Sequence, residues 1–376
     1  MLDTTDPNAL IVETARRFAQ ERLAPTAAAR EKAGRIEPEI IRELGEMGFL
    51  GATNSSDWGG SEIPYETYAQ VIEEIAAGDG SVSTLVSVHN APTCEILEKF
   101  GTPAQKERWL RPMASGEVVA SFALTESGAG SDAAGIRTRA ERTNSGYTIN
   151  GSKQFISNAA VGKTTILFAI TDPAAGKKGI SAFVVANDTP GFSVARVEHK
   201  LGQKASDSCA LTFDNMQVND DQRIGAEGEG LKIALSTLES GRIGIAAQSV
   251  GMARAALEYA IGYAKERKQF GRPIIEHQAV GFRLVEAKTK LAAARELTLR
   301  AARLKDAGEP ALEAAASAKL FASEAAEAIC TAAIQTLGGY GYLADYPLER
   351  IYRDVRVCQI YEGTSDVQKI ILQRML

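Results

Sequence analysis

The residues best placed to do chemistry lie near the C-terminal end, in Gln359-Ile360-Tyr361-Glu362-Gly363-Thr364-Ser365-Asp366. One carboxylate stands there between an aromatic residue and a glycine. Ser365-x-x-Gln368 has capping-box form, and Val367 to Leu372 carries a helical pattern onward. Glu362 is therefore expected a few residues ahead of a helix N-terminus, on backbone that Gly363 lets turn sharply. A carboxylate on such a corner can enter a cavity without being tied to a helix face. A helix N-terminus would lower its pKa and an apolar pocket would raise it, which is the setting a general base needs. Taken alone, the octapeptide favours a plainer reading, a surface Glu before a capped helix.

Other segments add to it. Phe122 to Asp132 runs from a strand-like stretch into Thr125-Glu126-Ser127-Gly128-Ala129-Gly130-Ser131-Asp132. Glycines after a strand let backbone N–H groups approach a phosphate or a ring edge. Gly128-x-Gly130-x-x-Ala133 formally fits a dinucleotide fingerprint, but no β-α-β unit surrounds it, and a Gly-rich hairpin loop fits equally. In Lys153-Gln154-Phe155-Ile156-Ser157-Asn158, an aromatic near a strand end could pack on a flat cofactor with the Ser157 hydroxyl at its edge. Phe155 as core and Ser157 as turn is the ordinary alternative. Glu239-Ser240-Gly241-Arg242 falls inside a long expected helix, where Gly costs about 1 kcal/mol relative to Ala. Either helices or a ligand must approach closely there. Glu266 to Gly271 and Gln335 to Tyr342 end two long helices; a solvated end would explain the first and a glycine C-cap the second, though three Gly in four positions exceed what a cap requires.

The elements that must carry these residues follow in three blocks. Up to about residue 117 the chain reads as helices: Asn8–Lys32, a short one from Pro38 to Gly48, Pro64–Ala77, Ser81–Phe100 and Ala104–Ser115. From Val118 it changes to short strands: Val118–Thr125, Arg137–Arg142, Tyr147–Ile149, Thr164–Ile170, Ile180–Val185, Phe192–Val197 and Ala210–Phe213. The gaps are too short for crossover helices, so an antiparallel barrel or sandwich is expected. From about Gly228 three long helices return, over Leu231–Arg267, His277–Ala307 and Pro310–Leu337; the last two are Ala-rich, as close packing in a bundle requires. The expected units are 1–117, 118–226 and 227–376, an α+β multidomain chain.

Composition removes several classes. The 376 residues carry a net charge of -5, and no basic stripe marks a nucleic-acid binder. The four cysteines are scattered, which suggests a reducing compartment and neither a disulfide framework nor a zinc site. The three histidines are far apart in sequence, so no metal is expected. Met1 to Pro7 lacks the basic and apolar regions of a signal peptide, and no run approaches the roughly 20 apolar residues of a membrane span, so a cytoplasmic protein is expected.

Taken together, the segments resemble the acyl-CoA dehydrogenase family over essentially the whole chain. The motifs are Leu124-Thr125-Glu126-x-x-Ala129-Gly130-Ser131-Asp132, Asn150-Gly151-x-Lys153 leading to Phe155-Ile156-Ser157, Glu266-Arg267-x-x-Phe270-Gly271, Gln335-x-Leu337-Gly338-Gly339-x-Gly341, Arg353-Asp354 and Ile360-Tyr361-Glu362-Gly363-Thr364-Ser365. The resemblance implies an N-terminal helical domain, a middle β domain and a C-terminal four-helix bundle, with FAD between the last two. Phe122, Leu124, Thr125, Gly130 and Ser131 would line the flavin and pyrophosphate region, and Phe155, Ile156 and Ser157 would face the isoalloxazine. Trp and Thr often stand in the family where this chain has Phe155 and Ser157, a departure that bears on flavin potential. Arg267, Gln269, Phe270, Gln278, Gln335, Leu337, Gly338 and Gly339 would hold the adenine end from a neighbouring subunit, and Thr364 and Asp366 would contact the FAD of their own. Such shared sites imply a homotetramer, a dimer of dimers.

The same resemblance implies a reaction. Glu362 would take the α-proton of an acyl-CoA thioester while a hydride leaves the β-carbon for the flavin. Ser131, Glu239, Arg242, Tyr361 and Gly363 would bind substrate or support the base loop. A related subgroup carries its base at the position that is Gly241 here, which leaves Glu362 as the candidate from either pattern. Ser87-Val88-His89-Asn90-Ala91 looks closest to short-chain members, and electrons would pass to electron-transfer flavoprotein. The rival readings are an oxidase or flavin monooxygenase of the same fold using oxygen, a non-catalytic acyl-CoA or flavin binder, and an NAD-linked dehydrogenase, which would be colourless.

Overall fold

A computed structural model describes residues 6–376; the reading of the first five residues lies outside it. Asp6 caps the first helix, Pro7–Phe18, by accepting the Asn8 N–H at 2.9 Å, with Pro7 at the first helical position where its missing N–H costs nothing. The expected single helix Asn8–Lys32 is interrupted near Pro25 and resumes over Ala27–Ala33. Pro38–Glu46 and Tyr65–Gly78 form as the apolar spacing dictates. Ser81–Phe100 is not one helix. Gly80–Val88 and Glu95–Phe100 are separated at Ala91-Pro92, where Ala91 is extended. The residue before a proline avoids helical geometry, a signal that the apolar pattern outweighed in the sequence.

Eight strands make one sheet: β1 (Ala120–Ala123), β2 (Arg139–Arg142), β3 (Gly146–Ser157), β4 (Thr164–Ile170), β5 (Ile180–Ala186), β6 (Phe192–Val197), β7 (Ser208–Asn219) and β8 (Arg223–Ile224). The order is β6-β7-β3-β2-β4-β5-β8, with β1 alongside β4. Pairing is antiparallel except β1 with β4 and a single contact of β2 with β4. β3 and β7 reach 12 residues each, longer than their alternation suggests, because register shifts at Ile149/Gly151 and Lys153/Ile156 break the period-two pattern. β4 and β5 are apolar on both faces. Ile166, Phe168 and Val184 pack on Leu97, Leu110 and Ile233 of the helices, while Leu167, Phe183 and Val185 pack on Tyr147 and Phe213 across the sheet.

The C-terminal part is built on helices of 37, 29 and 26 residues, Gly230–Glu266, Gln278–Asp306 and Leu312–Leu337. Its core is continuous with that of the N-terminal helices: Leu44, Ile72 and Ile75 meet Ala246, Val250 and Leu299. Glycines set the closest approaches. A Cβ on Gly251 would stand 2.1 Å from the Glu73 carbonyl oxygen and 2.9 Å from Ala76 Cβ, so the Gly230–Glu266 and Tyr65–Gly78 helices touch backbone to backbone there.

Gly251→Ala must push these two helices apart, at a cost of roughly 1–3 kcal/mol. A lowered thermal midpoint is expected. A midpoint equal to that of the unchanged protein would show that the contact is not needed.

Candidate active site

The corner that carries Glu362 is formed by two successive left-handed residues, Glu362 at φ 54° and Gly363 at φ 87°. Glycine adopts this region freely; glutamate does so only when its surroundings impose it. The surroundings are polar and come from several elements. The buried Gln368 amide donates to the Gly363 carbonyl at 2.8 Å and to the Glu362 carbonyl at 3.4 Å. The Lys319 ammonium, on the Leu312–Leu337 helix, donates to the same Gly363 carbonyl. The Tyr361 hydroxyl turns inward and donates to Gln248 Oε1, while the Gln248 amide donates to Ser83 at 2.7 Å and Thr84 at 2.6 Å. Gln203, whose backbone N–H donates to the Asp354 carboxylate, reaches the Tyr361 hydroxyl at 3.4 Å.

The capping residue is not Ser365. Thr364 caps the Ser365–Gln373 helix by accepting the Val367 N–H at 3.2 Å, and the Ser365 hydroxyl is enclosed without a partner. The Ser-x-x-Gln spacing misled because Gln368 serves the carbonyls ahead of the helix instead of closing a capping box. Asp366 lies exposed in the first turn.

Glu362 as a residue is half-buried, yet its Oε2 is shielded from solvent and has no hydrogen-bond partner. Burial pushes its pKa up to about 7 against the attraction of Arg242 and Lys319. The glycine inside Glu239-Ser240-Gly241-Arg242 now has its reason. A Cβ on Gly241 would stand 2.6 Å from Glu362 Oε2, so what approaches the helix there is the chain's own carboxylate. Beside it, Arg242 is buried with Nε and Nη1 unpaired, and burial lowers its pKa while the charges of Glu362 and Glu239 raise it. The Ser240 hydroxyl is also buried and unpaired. Buried polar groups almost always find partners, so three orphans on neighbouring residues mark a place for a polar ligand. The arrangement can accept a proton at an enclosed carboxylate next to unused hydrogen-bond donors.

The sheet brings a second group together. The Lys153 ammonium, fully buried, donates to the Leu124 carbonyl at 3.0 Å and pairs with Glu126 at 2.8 Å. Glu126 also accepts the Arg137 N–H at 2.6 Å and the Thr138 N–H at 3.0 Å. The Gln154 N–H donates to the Thr125 carbonyl at 2.9 Å. The Leu124–Asp132 loop is thereby fastened to the end of β3, where Phe155 sits on the register shift at φ 61° and is 63% exposed. Thr125 and Ser157 are half-buried and Ser131 exposed, whereas Leu124 and Ile156 turn into the core and Phe122 packs edge-on to Phe168. A Cβ on Gly128 or Gly130 would meet nothing within 4 Å, so the chain itself does not demand glycine there. An exposed aromatic held in a strained conformation beside open glycines fits a large planar group with a phosphate tail.

The third group lies apart. Arg267, Gln269, Phe270, Gln335, Leu337, Gly338 and Gly339 line one open cleft of about 740 Å³ at the end of the bundle, and no residue of the eight-stranded sheet lines it. Gln278 begins the adjoining helix, outside the lining. Phe270 is 94% exposed at φ 53°, and a Cβ on Gly339 would meet nothing within 4 Å.

The sequence reading passed over Lys319, Gln248 and Gln203. A signal existed for Lys319: its neighbours one turn away, Ala315, Ala316, Ala322 and Ser323, are all small, which places it on the buried stripe. Among the described residues there is no cluster of metal-ligating side chains, and no helix is long and apolar enough to cross a membrane. His89 is buried between the Met113 carbonyl and the Ala120 N–H, and burial lowers its pKa to about 4, so it is a neutral structural residue.

A helical, β and helical chain with an enclosed carboxylate of raised pKa has a group that can take up a proton near neutrality. Models of the N-terminal, middle and C-terminal domains of acyl-CoA dehydrogenase match residues 5–117, 121–216 and 228–376. An acyl-CoA dehydrogenase of Bacillus subtilis is 41% identical over 375 residues, 100% of this chain and 99% of that protein. Butyryl-CoA dehydrogenase from Megasphaera elsdenii superposes with a TM-score of 0.97 at 39% identity, covering 100% of this chain and 99% of the other. A structure described as the electron transferring flavoprotein of Acidaminococcus fermentans gives 0.97 at 41%, with the same coverage. The chain belongs to the acyl-CoA dehydrogenase family.

Glu126→Gln leaves the Lys153 ammonium buried without its counter-charge, which costs about 3–5 kcal/mol. The variant is expected to lose thermal stability and to retain less cofactor on gel filtration. Wild-type stability in this variant would remove the pair from the role of fastening the loop.

Proposed function

We propose that the protein catalyses α,β-dehydrogenation of a short- to medium-chain acyl-CoA to the trans-2-enoyl-CoA, with Glu362 as general base. The observation that carries this reading is the Glu362 carboxyl itself, enclosed, unpaired and held near neutrality. A proton α to a thioester is weakly acidic, and a base of ordinary carboxylate strength is poorly matched to it. FAD is the cofactor, and when bound it supplies the acceptor for the hydride that leaves the β-carbon.

The chain's residues do the rest. Glu362 takes the α-proton on the shielded side of its carboxyl. Its backbone N–H, which donates to no described residue, is free for the thioester oxygen, where charge develops as the proton leaves. Arg242 and Ser240 offer their unused donors to the substrate side of the base, with Glu239 beside Arg242. Thr125, Ser131, Phe155 and Ser157, on the fastened loop and strand, hold the flavin, with Thr364 and Asp366 facing it from the base loop. The cleft at the bundle end would receive the adenine end of a neighbouring subunit's FAD, which requires an oligomer and fits a tetramer of paired dimers. The units would be 1–117, 118–226 and 227–376. The likeness to butyryl-CoA dehydrogenase supports a short acyl chain, and the likeness to an electron transferring flavoprotein structure supports that protein as electron acceptor.

Anaerobic mixing with butyryl-CoA is expected to bleach the flavin, with slow reoxidation by air; rapid peroxide formation would mark an oxidase instead. Glu362→Gln should keep FAD bound and abolish bleaching. Retained turnover in that variant would take the base away from Glu362.

The bleaching rate should also depend on pH. Glu362 works only when ionised, and its pKa is pushed up to about 7. The rate is therefore expected to climb as pH rises through about 7. A rate already at its plateau well below neutrality would show that the carboxyl is not desolvated.

A further inference from the structure

Lys319 is fully buried in the middle of the Leu312–Leu337 helix. No carboxylate of the described residues lies within ion-pair distance of its ammonium; its one hydrogen bond goes to the Gly363 carbonyl. Taking an ammonium out of water without a paired anion is costly, and a methionine would fill the same space at no such cost. Helix packing therefore does not explain a lysine at this position. What it touches does. Gly363 is the second of the two left-handed residues that turn the Glu362 side chain toward Gly241.

We propose that Lys319 is a positioning residue for the base: its ammonium holds the Gly363 carbonyl, fixing the corner, and sets a positive charge behind the Glu362 carboxyl. The proposal rests on Glu362 being the base. The charged and titratable groups facing Lys319 are Glu362 on the corner, Arg242 on the Gly230–Glu266 helix and Cys358 ahead of the corner. Those facing Glu362 are Arg242, Lys319 and, from the Tyr65–Gly78 helix, Tyr68. Of these, Arg242 and Lys319 are the two cations. Arg242 lies on the side with unpaired donors, whereas Lys319 is committed to the chain. Lys319 thus supplies charge that a substrate does not displace. Burial lowers the Lys319 pKa to about 8, which keeps the ammonium form in the majority over the range where Glu362 ionises.

The test is the pH dependence of anaerobic flavin bleaching by butyryl-CoA in Lys319→Met and Lys319→Gln, purified with FAD. Met removes the donor and the charge; Gln keeps a donor alone. Losing a nearby cation should move the ascending limb up by about one pH unit in both variants. Bleaching at neutral pH should fall roughly fivefold, since a limb moved up one unit from about 7 lowers the ionised fraction there from about one half to about one tenth. Raising the pH should recover more of the rate in Lys319→Gln than in Lys319→Met. A limb unmoved in either FAD-bearing variant overturns the proposal, as does loss of fold and FAD in both, which would make Lys319 a support of the bundle. Glu362→Gln separates the two readings. Turnover in that variant defeats the proposed function, whereas an inactive Glu362→Gln alongside an unmoved limb defeats only the role of Lys319.

Discussion

The site depends on one desolvated carboxyl pressed against one glycine. Glu362 would ionise near 4.5 in water and is held near 7, so its charged form is disfavoured by about 3 kcal/mol. Burial wins over two nearby cations, Arg242 and Lys319. Without those cations the same enclosure would keep the group protonated at neutral pH; without the enclosure it would be an ordinary weak base. The balance is a difference between large opposing terms, and both are fixed by where the helices stand.

That placement is held by close contacts at glycines. Gly241 admits the carboxyl, Gly244 lies against Ser87, and Gly251 lies against Glu73 and Ala76. These three of the five glycines in the 37-residue helix cost intrinsic helix stability, and the packed interfaces return it. The polar side chains do complementary work. A corner with two left-handed residues joins no regular hydrogen-bond ladder, so its carbonyls need side-chain donors. Gln368 and Lys319 supply them. The Tyr361–Gln248–Thr84 chain then ties the corner to the N-terminal helices, and Gln203 with Asp354 ties it to the loop after β6. All three parts of the chain thus hold the corner that carries Glu362.

The sequence disclosed what depends on local chemistry. The order of helices and strands, the boundaries of the long helices within a few residues and the loops at the chemical positions follow from spacing, turn residues and glycines. Three features were not legible. The break at Ala91-Pro92 was hidden because both flanking segments are apolar. The cap shifted to Thr364 because Gln368 had a better partner across the loop than across its own turn. Lys319, Gln248 and Gln203 carry no motif that singles them out, and long polar side chains are mostly exposed. Their burial is a tertiary fact: each is enclosed by elements far away in the sequence, and only the small residues around Lys319 leave a local trace.

On the proposed reading, Gly241 bears on why Glu362 alone would serve as base. In a related subgroup of the family the base stands at that position on the long helix. Here the first atom of a side chain at 241 would already lie 2.6 Å from Glu362 Oε2. Positions 241 and 362 are therefore two routes by which a carboxyl can reach one point, one from the helix and one from the corner. Two carboxyls at that spacing could not both ionise, and two side chains could not both fit. On the proposed reading this chain uses the corner: Gly241 leaves the space into which the carboxyl points, and side-chain donors hold the corner in its left-handed turn. In this chain those donors are Gln368 and Lys319, each bonded to the Gly363 carbonyl of the corner.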